Sequence, residues 1–248
     1  RGNDLYLVDA GLRRIFRYDR IQQTLTPFAA NLPVEAGMSI YAAPDQSVYI
    51  TSPSSGRVLH FSWGGLPLPP LASPGNLARP VSVVADERSG NVVVADGLYN
   101  QLVVFGGAGG VLAIIKPPQV QSISAIATGP DGIYAIDRLA RRVAVLGWDG
   151  TLRYAFAADS ASEPGSIAVS RDNLVFVGDN FDSSVRVFGL RGAREATLVG
   201  KIGGAGSAGS FNGIGGLAVE DDMLYVADSL NARIQAMLIN PSAIDTGR

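Results

Sequence analysis

The chain has 248 residues with 30 glycines, 14 prolines, 47% hydrophobic and 17% charged residues, enough to bury a core, too apolar for disorder, and turn-rich in the manner of an all-β protein. Twenty Lys+Arg against 22 Asp+Glu give a net charge of −2, which offers no general attraction to nucleic acid or to an anionic membrane. Zero cysteines and one histidine exclude disulfides, thiolate metal sites, a cysteine nucleophile and any multi-histidine centre.

In chain order, short β-rich runs end in Asp or Ser six times: LYLVD at Asp9, VYITS at Ser52, VVVAD at Asp96, IYAID at Asp137, VFVGD at Asp179 and LYVAD at Asp228. The intervals between these anchors are 43, 44, 41, 42 and 49 residues. Five residues past each anchor, at Arg14, Arg57, Gln101, Arg142, Ser184 and Arg233, a second β-rich run opens. Two strands with four residues between them predict a hairpin at the centre of every unit. Upstream of five anchors lies another apolar run with a small residue in register, namely Ser39, Ser82, Ala125, Ser166 and Gly216, and a further β-rich piece is read after each hairpin, as at Thr24, Val111, Thr151 and Glu195.

Four strands per unit of 40 to 45 residues is the arithmetic of a propeller blade. The sequence therefore predicts an all-β, six-bladed β-propeller of four-stranded antiparallel blades, formed as a single domain over residues 1–248, with small residues where the innermost strands crowd together. Only eight residues precede Asp9 and 11 follow Met237, so the first and last blades are expected to be incomplete. The missing strands would come from native residues outside this chain or from a neighbouring subunit. No apolar run approaches the length of a membrane span. Arg1 in place of an initiator methionine is read as a sign of processing or trimming.

The run LYVADSLNARIQAM, Leu224 to Met237, resembles the core of the NHL repeat: a strand ending in Tyr-Val-Ala-Asp, a turn with Asn, then Arg-Ile-Gln. The first and fourth units keep the Asp and Arg, as Asp9 with Arg14 and Asp137 with Arg142; the second has Ser52 for Asp and the fifth Ser184 for Arg. The resemblance implies a non-enzymatic binding or scaffolding propeller with a protein partner, no cofactor, and a periplasmic or secreted setting.

Asp9–Arg14, Asp137–Arg142 and Asp228–Arg233 are expected to be structural, because residues needed for folding recur in each blade whereas residues needed for chemistry occur once. The alternative is an enzyme, since calcium-dependent lactonases resemble this architecture and hold an oxygen-liganded ion at the channel mouth. Glu163 and Asn212 would be the ligands; Glu35 falls in the opposite unit, and His60 has no second histidine. The expected partner surface is the hairpin tips, which present Leu98, Tyr99, Leu139, Phe181 and Leu230, together with Phe211 at the end of a glycine-rich insertion over 200–213.

Overall fold

The computed structural model describes residues 2–29, 32–71, 75–158, 163–191, 195–204 and 210–240, with the side chains of 191 and 195 excepted. The fold is a six-bladed β-propeller made of six antiparallel sheets. The chain divides into two compact units, Arg1–Lys116 and Pro117–Arg248, each with three blades.

In the first unit, blade 1 is β1 (Asp4–Asp9), β2 (Arg14–Asp19) and β3 (Thr24–Phe28). Blade 2 is β4 (Ile40–Ala42), β5 (Val48–Ser52), β6 (Arg57–Phe61) and β7 (Pro67–Leu68). Blade 3 is β8 (Pro80–Ala85), β9 (Val92–Asp96), β10 (Gln101–Phe105) and β11 (Val111–Ile115). In the second unit, blade 4 is β12 (Ile123–Gly129), β13 (Gly132–Asp137), β14 (Arg142–Leu146) and β15 (Leu152–Ala157). Blade 5 is β16 (Pro164–Val169), β17 (Leu174–Asp179), β18 (Ser184–Arg191) and β19 (Glu195–Gly203). Blade 6 is β20 (Ile214–Glu220), β21 (Met223–Asp228) and β22 (Arg233–Leu238). Four blades have four strands; among the described residues, blade 1 lacks an innermost strand and blade 6 an outermost one.

Burial is greatest at the second strands of blades 2 to 5 and least at the outer strands. Strands β5, β9, β13 and β17 are buried at every residue, and each runs mostly through β-branched, aromatic and other apolar residues to a closing Ser or Asp, as expected where both faces of a strand are covered. The outer strands β3, β7 and β11 are mostly exposed. Four apolar clusters among the described residues each lie between two successive blades of a unit. Val48 and Ile50 of β5 pack with Ile15 and Phe28 of blade 1, while Tyr49 between them packs with Val83 and Val94 of blade 3. In the second unit Val175 and Val177 of β17 face Tyr134 and Ile136, whereas Leu174 and Phe176 face Leu224 and Val226. This alternation is the two-residue period of a strand, and each fully buried Leu, Ile or Phe contributes about 1.5–3 kcal/mol.

The central hairpins share one backbone conformation. The residue four past the anchor is left-handed in every blade: Arg13, Gly56, Asn100, Arg141, Ser183 and Ala232, with φ between 49° and 63°. Only Gly56 is a glycine, and a Cβ there would stand 2.9 Å from the Leu77 carbonyl oxygen. The blade 6 turn includes the one helical segment among the described residues, a 3₁₀ turn over Ser229–Asn231. Two expectations change. The insertion over 200–213 starts as strand, since β19 runs to Gly203, while 205–209 lie outside the described residues. Phe211, expected on the partner face, is 5% exposed and belongs to the cluster between blades 5 and 6; its ring lies against Gly203, where a Cβ would meet it at 2.5 Å.

Candidate functional site

The anchor carboxylates Asp96, Asp137, Asp179 and Asp228 are fully buried, and each joins its hairpin to the segment leading into the innermost strand of its blade. Asp96 accepts from Ala78 N–H at 2.5 Å and Arg79 N–H at 2.8 Å on Oδ2, and from Leu98 and Tyr99 N–H at 2.9 and 2.8 Å on Oδ1. Asp137 accepts from Gln121 and Ser122 N–H at 3.1 and 3.0 Å. Asp179 accepts from Glu163 N–H at 2.8 Å and Phe181 N–H at 3.0 Å. Asp228 accepts from Asn212 N–H at 2.7 Å, from the Asn231 amide, and from Gln235 Nε2 at 3.0 Å. Four buried charges are thereby supplied with several donors each, as burial of a carboxylate requires.

The residue five past the anchor also grips the lead-in segment. Arg142 bonds Asp137 through Nε at 3.3 Å and donates to the Gln119 carbonyl; Arg233 bonds Asp228 through Nε at 2.7 Å and donates to the Ser210 carbonyl at 3.2 Å. In blade 3 the neutral Gln101 reaches the corresponding Asn76 carbonyl at 2.7 Å. What these positions have in common is a donor aimed at that carbonyl, not a charge. Two departures from the repeat are compensated from elsewhere. In blade 2 Glu35 replaces the missing carboxylate, accepting from Ser52 Oγ at 3.1 Å and Ser54 N–H at 3.0 Å. In blade 5, where Ser184 stands for Arg, the guanidinium comes from Arg186 two residues on, buried against Asp179 and 3.5 Å from Asp182.

Blade 1 does not form the expected pair. Asp9 and Arg14 oppose each other in the ladder, but among the described residues the hydrogen bond of Asp9 is to Leu12 N–H at 2.8 Å, and Arg14 is exposed.

With their backbones tied down, the tips turn apolar side chains outward. Leu98 is 63% and Tyr99 48% exposed in the first unit; Leu139, Phe181 and Leu230 are 68%, 70% and 73% exposed in the second. Leu12 of blade 1, one position later in its turn, is 65% exposed and carries the same character; sequence reasoning missed it because it compared only the second turn residue. Other exposed hydrophobics lie on outer strands, as Leu25, Leu198 and the pair Leu112 and Ile114 do, or at turns of the opposite end, where the guanidinium of Arg17 lies over Trp63 at 4.7 Å.

The side chains considered for chemistry are placed otherwise. Glu163 and Asn212 are exposed and serve the anchors through their backbone N–H groups. Among the described residues no group of three or more His, Asp or Glu is placed to hold a metal ion. His60 lies flat on Tyr49, with ring centroids 4.3 Å apart, and its Nδ1 is 3.2 Å from the Pro69 carbonyl oxygen.

No family model matches this sequence, and no curated protein matches it. Similar solved structures are many. Virginiamycin B lyase from Staphylococcus aureus superposes with a TM-score of 0.66 at 12% identity, over 96% of this chain and 81% of the lyase. The hydrazine synthase of Kuenenia stuttgartiensis gives 0.68 at 11% identity, over 98% and 94%. A chain of a nidogen/laminin complex gives 0.72 at 16% identity, over 95% and 89%. At such identities the likeness is one of fold, and a lyase, a hydrazine synthase and a chain of a nidogen/laminin complex show that this fold carries unrelated functions.

Proposed function

We propose that this chain is a non-enzymatic propeller of NHL type that binds a protein partner through its apolar hairpin tips. The observation that carries the proposal is the exposure of Leu98, Tyr99, Leu139, Phe181 and Leu230 on turns tethered by hydrogen bonds to buried carboxylates or to the inner-strand lead-in, as at Leu98, Tyr99, Phe181 and Leu230. Large apolar side chains held in water on rigid turns mark surfaces that are covered in a complex, and a rigid backbone lowers the ordering cost of association. The nidogen/laminin complex supports the reading as a similar propeller found in a protein assembly. The net charge of −2 argues against a nucleic-acid backbone as the partner. The NHL assignment rests on the run from Leu224 to Met237, and an extracytoplasmic setting on that resemblance.

The test is site-specific photocrosslinking in the source cells, with the crosslinking residue placed at Leu139, Phe181 or Leu230, and at exposed Asp149 in the turn at the other end of blade 4. The proposal expects one discrete protein adduct from the three tip positions, absent at position 149 and weakened by Leu139→Ser with Leu230→Ser. Equal crosslinking at both ends, or none at the tips, rejects it.

A further inference from the structure

The tips of the first unit differ from those of the second in what their cations meet. In the second unit Arg142 pairs with Asp137, Arg186 with Asp179, Lys201 with Asp182 and Arg233 with Asp228. In the first, Arg13, Arg14, Arg57, Arg79 and Lys116 are all exposed at the tip end of blades 1 to 3. Arg14 and Arg57 open β2 and β6, Arg13 lies in the blade 1 turn, Arg79 leads into β8 and Lys116 follows β11. Among the described residues none of these five side chains meets a carboxylate.

The carboxylates at this end are already engaged. Asp96 is fully buried under four N–H donors, Glu35 holds Ser52 and Ser54, and Asp9 takes Leu12 N–H. The surface is therefore locally positive although the whole chain carries a net charge of −2. Two of the guanidiniums belong to one contact between blades. The blade 2 turn packs on the lead-in of blade 3, where a Cβ at Gly56 would stand 2.9 Å from the Leu77 carbonyl oxygen and 3.5 Å from that of Ala78. Arg57 and Arg79 each follow this contact by one residue. Arg79 also donates to the Gly97 carbonyl at 3.4 Å, which sets it beside the turn that exposes Leu98 and Tyr99.

We propose that the tip end of blades 1 to 3 takes an acidic segment of a partner protein, in which Asp or Glu side chains accompany Leu-sized apolar ones; this rests on the reading of the tips as a protein-binding face. The apolar side chains seat against Leu98 and Tyr99 and the carboxylates against Arg57 and Arg79, with Arg13, Arg14 and Leu12 offering the same combination in blade 1. A guanidinium receives a carboxylate through two parallel N–H donors, and matched charge both steers the encounter and disfavours basic competitors. A single-stranded nucleic acid would need aromatic platforms for successive bases. The large apolar side chains exposed on these turns are Leu12, Leu98 and Tyr99, of which only Tyr99 is aromatic.

The test is selection of a phage-displayed library of random dodecapeptides on the purified 248-residue chain, followed by anisotropy titration of the selected peptides carrying fluorescein. The expected result is enrichment of Asp and Glu together with Leu, Ile or Phe, and binding that weakens as salt is raised. Arg57→Glu with Arg79→Glu should weaken it at least tenfold, as should Leu98→Ser, while Arg57→Gln with Arg79→Gln gives an intermediate loss at an unchanged melting temperature. If the charge-reversed variant does not fold, the glutamine variant carries the test. Selection of uncharged or basic peptides that Leu98→Ser releases would leave the tips as a protein-binding face and overturn the acidic partner. Peptides indifferent to these substitutions, or no enrichment, overturn the proposal, while adducts at Leu139, Phe181 and Leu230 still decide whether the tips bind protein. A single-stranded deoxythymidine dodecanucleotide bound as tightly as the best acidic peptide assigns the cations to nucleic acid and overturns the proposal as well.

Discussion

Blades 1 and 6 carry the same local signature, an Asp closing the second strand and an Arg opening the third, and both turns pass through a left-handed fourth residue. In blade 6 the carboxylate is fully buried and is met by a backbone N–H, two side-chain amides and a guanidinium; in blade 1 it holds one tip N–H and the guanidinium is exposed. The difference is the lead-in segment. Arg233 is oriented by the Ser210 carbonyl as well as by Asp228, and among the described residues no equivalent segment meets Arg14. A repeat motif in sequence thus specifies a capacity for interaction, and the third strand segment decides whether the capacity is used.

The largest expected effect follows directly. Asp228→Ala strands donors from Asn212, Asn231, Arg233 and Gln235, and buried partners left unsatisfied cost about 1–3 kcal/mol each. Urea denaturation should show a loss of roughly 3 kcal/mol, with Asp137→Ala close behind because Gln121, Ser122 and Arg142 depend on it. Asp9→Ala in the 248-residue chain should cost under about 1 kcal/mol, the scale of one modest hydrogen bond. Equal losses at positions 9 and 228 would break the comparison.

Acid should separate the blades next. Burial alone would raise the Asp228 carboxyl, but Asn231, the Asn212 N–H, Arg233 and Gln235 outweigh it and hold the group far below its ordinary range. Because the folded state binds this proton more weakly than the unfolded chain does, the stabilisation is whole above the unfolded pKa of about 4 and is lost as pH falls below it toward the folded value. Stability measured between about pH 4 and pH 2 should therefore fall more steeply for the parent than for Asp228→Asn. A variant with an unchanged slope would show that Asp228 is not the group being titrated.

A smaller effect separates charge from donation. Since Gln101 makes in blade 3 the carbonyl contact that Arg233 makes in blade 6, Arg233→Gln should stay within about 0.5 kcal/mol of the parent, as half-exposed ion pairs contribute little. Arg233→Leu should lose about 1 kcal/mol by leaving the Ser210 carbonyl and Asp228 short of a donor. Arg14→Leu should be neutral in chemical denaturation.

The sequence made the blades legible because the second strands of blades 2 to 5 are buried on both faces and must be largely apolar, so VVVAD and LVFVGD announce themselves. Among the described residues the first and last blades have three strands, as counting residues around Asp9 and Met237 led one to expect. What escaped were compensations between positions that no fixed offset connects. Glu35 acts 17 residues from Ser52 and Arg186 acts seven residues from Asp179, and nothing in the repeat spacing points to either. Phe211 was misread for a related reason: an aromatic beside glycines suggests an exposed loop, but Gly203 lacks a Cβ so that the ring can pack there. The exposure of the tips was legible in part, because a four-residue turn offers two outward positions and only the first was compared between units.

The least visible regularity gives the smallest and most discriminating prediction. Arg, Gly, Asn, Arg, Ser and Ala at the fourth turn position share no side-chain chemistry, and their common feature is backbone alone, with φ of 53° at Arg13 and 49° at Ala232. A left-handed residue with a Cβ costs about 1–2 kcal/mol, while glycine adds roughly 0.5–1 kcal/mol of unfolded-chain entropy. Arg13→Gly and Ala232→Gly should therefore each stabilise the protein by about 1 kcal/mol or less, read as a rise in the urea midpoint at unchanged slope. The gain should be the same in both blades, because the turn conformation is set within the hairpin and does not depend on the inner strand. If Ala232→Gly stabilised and Arg13→Gly did not, the blade 1 hairpin would need its missing strand even to fix the turn, and the division between a locally encoded hairpin and a strand-dependent anchor would fail.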